Sequence, residues 1–260
     1  MKLFDPHVHL TSERYDDDLP EVLQRLREAG LTGCMVVCDP GDREPDCARA
    51  AGIVEQNPGF RLAIGVHPHN ANGYSEDAER EIRKYAARED CVCLGEIGLD
   101  YYYDFSPREV QREVFERQLD LALELNLPVQ LHIRDAHGEA TERLVARHRA
   151  GLLPRGVMHC YSGSWESAKT YLSMGLYVSL SGVVTFEKAP KVWEVAKNLP
   201  ADRLLVETDC PYMAPAPMRG KRNEPAFLVH TLKRVAELRG TEPEKLAEQI
   251  EENLKTLFFS

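Results

Sequence analysis

The sequence predicts a single (β/α)8 barrel of the TIM type over residues 1–260, and three observations carry that prediction. Short β-type runs alternate with longer amphipathic helical stretches from end to end. Eight such units fit into 260 residues, close to the ~250 of a closed barrel and better suited to one than to an open doubly wound sheet. No GxGxxG loop, Walker loop or low-complexity linker divides the chain.

The predicted strands, in order, are Lys2–Leu10, Gly33–Cys38, Arg61–His67, Val92–Gly98, Pro128–His132, Gly156–Tyr161, Leu176–Leu180 and Arg203–Thr208. Helical periodicity falls between them at Leu19–Ala29, Ala78–Arg88, Pro107–Leu125, Glu139–Arg149, Glu166–Met174 and Ala189–Leu199. The third of these carries a start signal, with Ser106 as N-cap, Pro107 at the first position and Glu109 in the first turn. Helices at about Ala226–Arg239 and Pro243–Phe259 close the chain. The longest stretch without a pattern, Cys210–Glu224, is proline-rich and basic, and a loop of that length in a compact domain is usually functional or disordered.

Composition narrows the class. The chain is 43% hydrophobic and 28% charged, which suits a water-soluble enzyme with a sizeable core. Its net charge of −10 argues against broad coating of nucleic acid, so an anionic substrate must be met by a local basic patch or by metal. The seven cysteines show no zinc-finger spacing and fall mostly in apolar strand-like runs, as reduced small hydrophobes would in the cytosol. The N-terminus lacks the apolar core of a signal peptide, and no apolar run approaches the ~18 residues of a membrane span. A cytoplasmic protein is expected.

The chemistry begins with His7 and His9. Residues two apart on a strand share a face, so both imidazoles project into the barrel. An isolated His-x-His is as readily a surface pair, but other residues change that reading. Glu96 falls at the fourth strand's end, His132 at the fifth, His159 at the sixth and Asp209 after the eighth. From His9 to Glu96 is three units of about 29 residues each, and the later steps have about the length of one β/α repeat per unit. All six side chains therefore reach the strand-end rim where barrel enzymes place their active sites. Four imidazoles and two carboxylates converging there call for cations, and their number suits two divalent metals sharing a carboxylate.

His67, at the end of the third strand, is expected to orient a ligand or touch substrate, with packing or capping as the bland reading; His69 is similar. His137, His148 and His230 fall in helical or polar contexts and are expected at the surface. Trp165, Trp193 and the apolar face of Pro107–Leu125 read as barrel packing. Arg219, Lys221 and Arg222 follow the eighth strand on the longest loop, and Arg134 lies two residues past His132. Together they form a candidate phosphate path beside the metals.

The sequence also resembles the TatD-type metal-dependent hydrolases, often described as deoxyribonucleases, of the amidohydrolase-like barrel superfamily. The resemblance runs through Asp5-Pro6-His7-Val8-His9-Leu10, Gly65-Val66-His67-Pro68-His69, Gly95-Glu96-Ile97-Gly98-Leu99-Asp100-Tyr101 and His132-Ile133-Arg134-Asp135-Ala136. It continues through His159-Cys160-Tyr161-Ser162-Gly163, Ser181-Gly182-Val183-Val184-Thr185-Phe186, Glu207-Thr208-Asp209-Cys210-Pro211-Tyr212 and Arg219-Gly220-Lys221-Arg222-Asn223-Glu224-Pro225. Departures are mild: Pro6 stands where a small polar residue is usual, Thr11 near a usual aspartate, Tyr161 for phenylalanine and Cys210 for serine. The resemblance implies His7, His9 and Asp209 on a first metal, His132 and His159 on a second, and Glu96 bridging. It also implies phosphodiester cleavage in DNA, commonly as a 3′→5′ exonuclease.

The residues by themselves support hydrolysis of an anionic or polar ester or amide by metal-activated water, with Asp209 as general base. A deacylase acting on misacylated tRNA is the alternative within hydrolases, and a non-catalytic metal-binding or scaffold protein the alternative outside them. Imidazole-rich sites favour zinc, manganese, nickel or cobalt over magnesium, while family members are often assayed with magnesium or manganese, so the metals' identity stays open. DNA or another phosphodiester is the expected partner, bound locally at the rim.

Overall fold

The computed structural model describes residues 2–44 and 46–259. Eight parallel strands hydrogen-bond in sequence order: β1 (Leu3–Val8), β2 (Leu31–Cys38), β3 (Arg61–Ile64), β4 (Cys91–Asp100), β5 (Val129–Arg134), β6 (Gly156–Met158), β7 (Tyr177–Leu180) and β8 (Leu204–Val206). The ring closes where β8 runs out, as His9 N–H donates to the Cys210 carbonyl at 2.8 Å and Asp209 N–H to the His7 carbonyl at 3.2 Å. Each expected strand is present. The strands are short apolar runs because both of their faces are covered, one by the barrel interior and one by helices.

The helical layer consists of α1 (Leu19–Glu28), α2 (Cys47–Gln56), α3 (Glu76–Ala86), α4 (Arg108–Glu124), α5 (His137–Arg149), α6 (Trp165–Ser173), α7 (Pro190–Asn198), α8 (Leu228–Arg239) and α9 (Pro243–Phe258). The sequence reading named no helix at α2, whose CARAAGIVEQ has no side-chain N-cap bond and a glycine in mid-course, so its start and periodicity are weak. Ser106 does not cap α4. Its hydroxyl donates to the His69 carbonyl at 2.8 Å and accepts from Asn72 N–H at 3.1 Å, leaving Pro107 as the capping position. Tertiary partners outcompeted a local cap.

Two departures from the expected boundaries shape the rim. The strand β4 continues four residues past Glu96, pairing Gly98 with His132 and Asp100 with Arg134 across a register shift near Glu96. Asp100 thereby lies on the same side of β4 as Glu96. Gly98 is required here, since a Cβ on it would run into the His132 carbonyl, and its φ is +155°. The Cys210–Glu224 loop is pinned: the Asn223 amide donates to the carbonyls of Thr208 and Tyr212, and the Tyr15 hydroxyl donates to the Asn223 carbonyl. No helix among the described residues is long and apolar enough to cross a membrane.

Candidate metal centre

The alternation of β1 brings His7 and His9 to one point, their Nε2 atoms 3.2 Å apart. Glu96 divides its two oxygens between them and their neighbours across the barrel. Oε2 lies 3.4 Å from His7 Nε2 and 3.8 Å from His9 Nε2. Oε1 lies 2.6 Å from His132 Nδ1, 3.4 Å from His159 Nε2 and 3.6 Å from His67 Nε2. Asp209 completes the group, with Oδ1 3.4 Å from His9, 3.8 Å from His159 and 3.9 Å from His7. Its φ of +58° is a left-handed conformation unusual outside glycine, which turns the side chain back over the strand ends.

Hydrogen bonds on the far side of each ring decide what the near side offers. The Gln130 amide donates to the Pro6 carbonyl at 2.6 Å, which fixes its orientation and leaves Oε1 to accept from His7 Nδ1–H at 3.0 Å. His159 Nδ1 lies 2.8 Å from Glu207 Oε1, and His132 Nε2 donates to Asp100 Oδ2 at 3.0 Å. With a polar partner behind each ring, His7 Nε2, His159 Nε2 and His132 Nδ1 are the nitrogens turned toward the two carboxylates. Each nitrogen that faces a carboxylate needs a proton or a metal cation between the two, and a metal can replace the near-side protons, so the donor set fits divalent metals.

His67 differs. Its Nδ1 accepts from the His69 backbone N–H at 3.1 Å, so in the neutral ring the proton sits on Nε2, which points at Glu96. His67 presents a donor at the site, and burial keeps it neutral by driving its pKa down to about 4.

The electrostatics of the cation-free cluster follow from the same contacts. Burial favours the neutral form of every group, but the carboxylates outweigh it at three histidines, with Asp209 and then Glu96 lifting His9. Glu96 and Asp100 lift His132 to about 9, and Glu207 and Glu96 lift His159 to about 10. Burial and the neighbouring His159 push His7 down. At Glu96, burial is overridden by His159, His67 and His132, which hold the carboxyl well below its ordinary range. Asp209 is lowered in the same way, mainly by its bond to His9. Below them, burial pushes the fully enclosed Asp5 up to about 8, although Thr208 donates to it from both hydroxyl and backbone.

Residues 4–259 match the family model described as TatD related DNase. The chain belongs to the TatD related DNase family. An uncharacterized metal-dependent hydrolase, YabD, from Bacillus subtilis (strain 168) is 41% identical over 256 residues, covering 98% of each chain. The 3′-5′ ssDNA/RNA exonuclease TatD of Rahnella sp. (strain Y9602) is 39% identical over 262 residues, again with 98% of each covered. The crystal structure of YJJV, a TatD homolog from Escherichia coli K12, superposes with a TM-score of 0.90 at 28% identity, covering 99% of this chain and 98% of that one. The protein is a TatD-family metal-dependent hydrolase on a TIM barrel.

Within this TatD barrel the six residues expected as ligands converge, and His67 joins them. The basic residues separate. Arg134 and Lys221 have no carboxylate partner among the described residues, and Arg219 lies over the Phe186 ring at 3.7 Å. Arg222 is engaged elsewhere: its guanidinium donates to both Asp18 oxygens at 2.6 and 2.7 Å and to the Arg14 carbonyl, above the Tyr15 ring. His137, expected at the surface, is half-buried against Tyr171 and Tyr161. His69, read alongside His67, donates from Nε2 to Asp100 at 2.8 Å, while sequence reasoning assigned no role to Gln130, Asp100 or Glu207. Their signals were polar residues in buried strands, with Gln130 two before His132 and Asp100 four after Glu96.

Proposed function

We propose that this chain is a 3′→5′ exonuclease acting on single-stranded nucleic acid, DNA foremost, with two divalent cations held by one protein domain. Relatives named for that activity cover nearly its whole length. The observation that carries the reading is Glu96, whose two oxygens face two separate sets of imidazoles. His7, His9 and Asp209 with Glu96 would hold one cation, and His132 and His159 with Glu96 the other. When bound, such cations supply the charge that acidifies a water and stabilises charge growing on the attacked phosphate.

The side chains do the rest. Gln130, Glu207 and Asp100 hold His7, His159 and His132 in the tautomers the site needs. Asp209 is ionised, and its second oxygen has no protein partner among the described residues, so it accepts the water's proton and returns it to the leaving 3′ oxygen. His67 Nε2–H donates to a phosphate oxygen. Arg134, with Arg219 and Lys221 farther out, meets the strand's phosphates, whereas Arg222 anchors the loop through Asp18. All seven cysteines are free, which supports residence in a reducing cytoplasm.

The test is cleavage of end-labelled single-stranded DNA and RNA by the purified protein reconstituted in turn with zinc, manganese, magnesium, nickel and cobalt. Stepwise loss of nucleotides from the 3′ end is expected. Turnover of aminoacyl-tRNA or amide substrates without cleavage of either strand would replace the nuclease reading.

A further inference from the structure

Beside the His132 edge of the cluster, the loops after β5 and β6 and the start of α7 enclose a polar cavity of about 420 Å³, lined by Tyr102, Arg134, His137, Ser162, Ser164 and Lys191. Arg134 and Lys191 have no carboxylate partner among the described residues. The outer helical layer treats its arginines differently: Arg143 and Arg147 are paired to Glu139, Glu116 and Asp120. The Arg134 guanidinium lies 4.0 Å from the Tyr102 ring centre and 4.8 Å from that of Tyr103, so its position is set by stacking and its N–H groups stay free for an anion. Asp135, the one carboxylate in the lining, offsets only one of the two cations.

The same wall continues into an aromatic shelf. Tyr102, Tyr103 and Phe105 are 58%, 46% and 65% exposed, an unusual run of rings to leave in water. The shelf is tied to the barrel, as the backbone N–H groups of Tyr102 and Tyr103 both donate to Asp100 at 3.0 Å. Tyr103 and Phe105 stack at 5.2 Å and both meet the His69 ring edge-on. Asp100 accepts from His69 and from His132, so the shelf and the catalytic cluster share one anchor.

We propose that this pocket and shelf form a subsite for a nucleotide next to the cleaved bond, with its phosphate on Arg134 and Lys191 and its base on the Tyr102–Phe105 rings. The proposal rests on the nuclease reading and deepens it. An exposed π-face beside two cations that line one cavity suits an unstacked base, which a duplex keeps covered. It makes the subsite selective for single strands and tolerant of base identity, because every base has a face to stack.

The test separates binding from cleavage. A fluorescently labelled oligo(dT), the same strand carrying abasic sites, and a blunt duplex are bound to the metal-free protein across a salt series. The wild-type protein is expected to prefer oligo(dT) to both other probes. Tyr102→Ala with Phe105→Ala should weaken oligo(dT) binding by roughly tenfold and leave the abasic probe unchanged. Arg134→Ala with Lys191→Ala should lower the salt slope by about 1.4, at ~0.7 per lost contact on a single strand, and Arg134→Lys should restore part of it. Thermal midpoints check that each variant is folded. Wild-type affinity and slope in both double variants, or equal binding of duplex and single strand, would overturn the subsite. If the wild type binds as expected but cleaves no oligonucleotide with any metal, the nuclease reading fails while the binding result stands.

Discussion

Replacing Gln130 by leucine removes one side chain that touches no substrate, yet it should be felt at the metal centre. Gln130 is wholly buried, donates to the Pro6 carbonyl at 2.6 Å and accepts from His7 Nδ1 at 3.0 Å. Leucine preserves the volume and strands both partners. Each buried polar group left unpaired costs about 1–3 kcal/mol, so a loss of about 2–6 kcal/mol is expected. At ~2–4 °C per kcal/mol for a chain of this size, the thermal midpoint of the metal-free protein should fall by roughly 4–24 °C. The second effect is specific. Without an acceptor at Nδ1, His7 is free to place its proton on Nε2, the atom that faces Glu96 and His9. Metal affinity should fall by about 10–100-fold, as for other lost partners of ligating histidines. Titration of metal-free protein with zinc or manganese, beside a Gln130→Glu variant that keeps an acceptor, reads this out. A Gln130→Leu protein with lowered stability but unaltered metal affinity would refute the claim that Gln130 sets the His7 tautomer.

Three further outcomes follow from other contacts. Asp209→Asn should lower turnover by the ~10²–10⁴ typical of lost general-base catalysis, with substrate binding less affected; near-normal turnover would move the base elsewhere. Arg222→Ala breaks the two-pronged pair to Asp18, so the midpoint should drop by a few degrees, from about 1 kcal/mol, while the salt slope of oligonucleotide binding stays constant; a shallower slope would return Arg222 to the phosphate path. On the outer surface, Arg117, helped by Tyr74 and Arg83, holds Glu79 down to about 2. A carboxyl depressed in the folded state stabilises above its unfolded pKa and loses that contribution as pH falls through the folded one. The midpoint deficit of Glu79→Gln should therefore be complete at pH 6 and shrink toward pH 2, and a deficit independent of pH would discount the network.

The barrel was readable because its signal repeats. Eight apolar runs at near-constant spacing specify parallel strands whose ends meet, and that spacing also placed His7, His9, Glu96, His132, His159 and Asp209 at one rim. The misreadings have local causes. Ser106 carries every mark of an N-cap, but only the packed structure brings the His69 carbonyl and Asn72 amide to its hydroxyl. Arg222 looked like a free cation because its partner, Asp18, lies 204 residues away in sequence. Gln130, Asp100 and Glu207 were silent for a similar reason. Which nitrogen of a histidine is left to bind metal depends on an acceptor behind the ring, and no periodicity in the chain encodes that pairing.

The most direct measurement of the central claim is metal stoichiometry by elemental analysis of the wild type, His132→Ala and Glu96→Ala. A carboxylate shared between two cations predicts two metals per chain in the wild type, selective weakening of one in His132→Ala, and weakening of both, with loss of activity, in Glu96→Ala. Two metals retained in Glu96→Ala would contradict it.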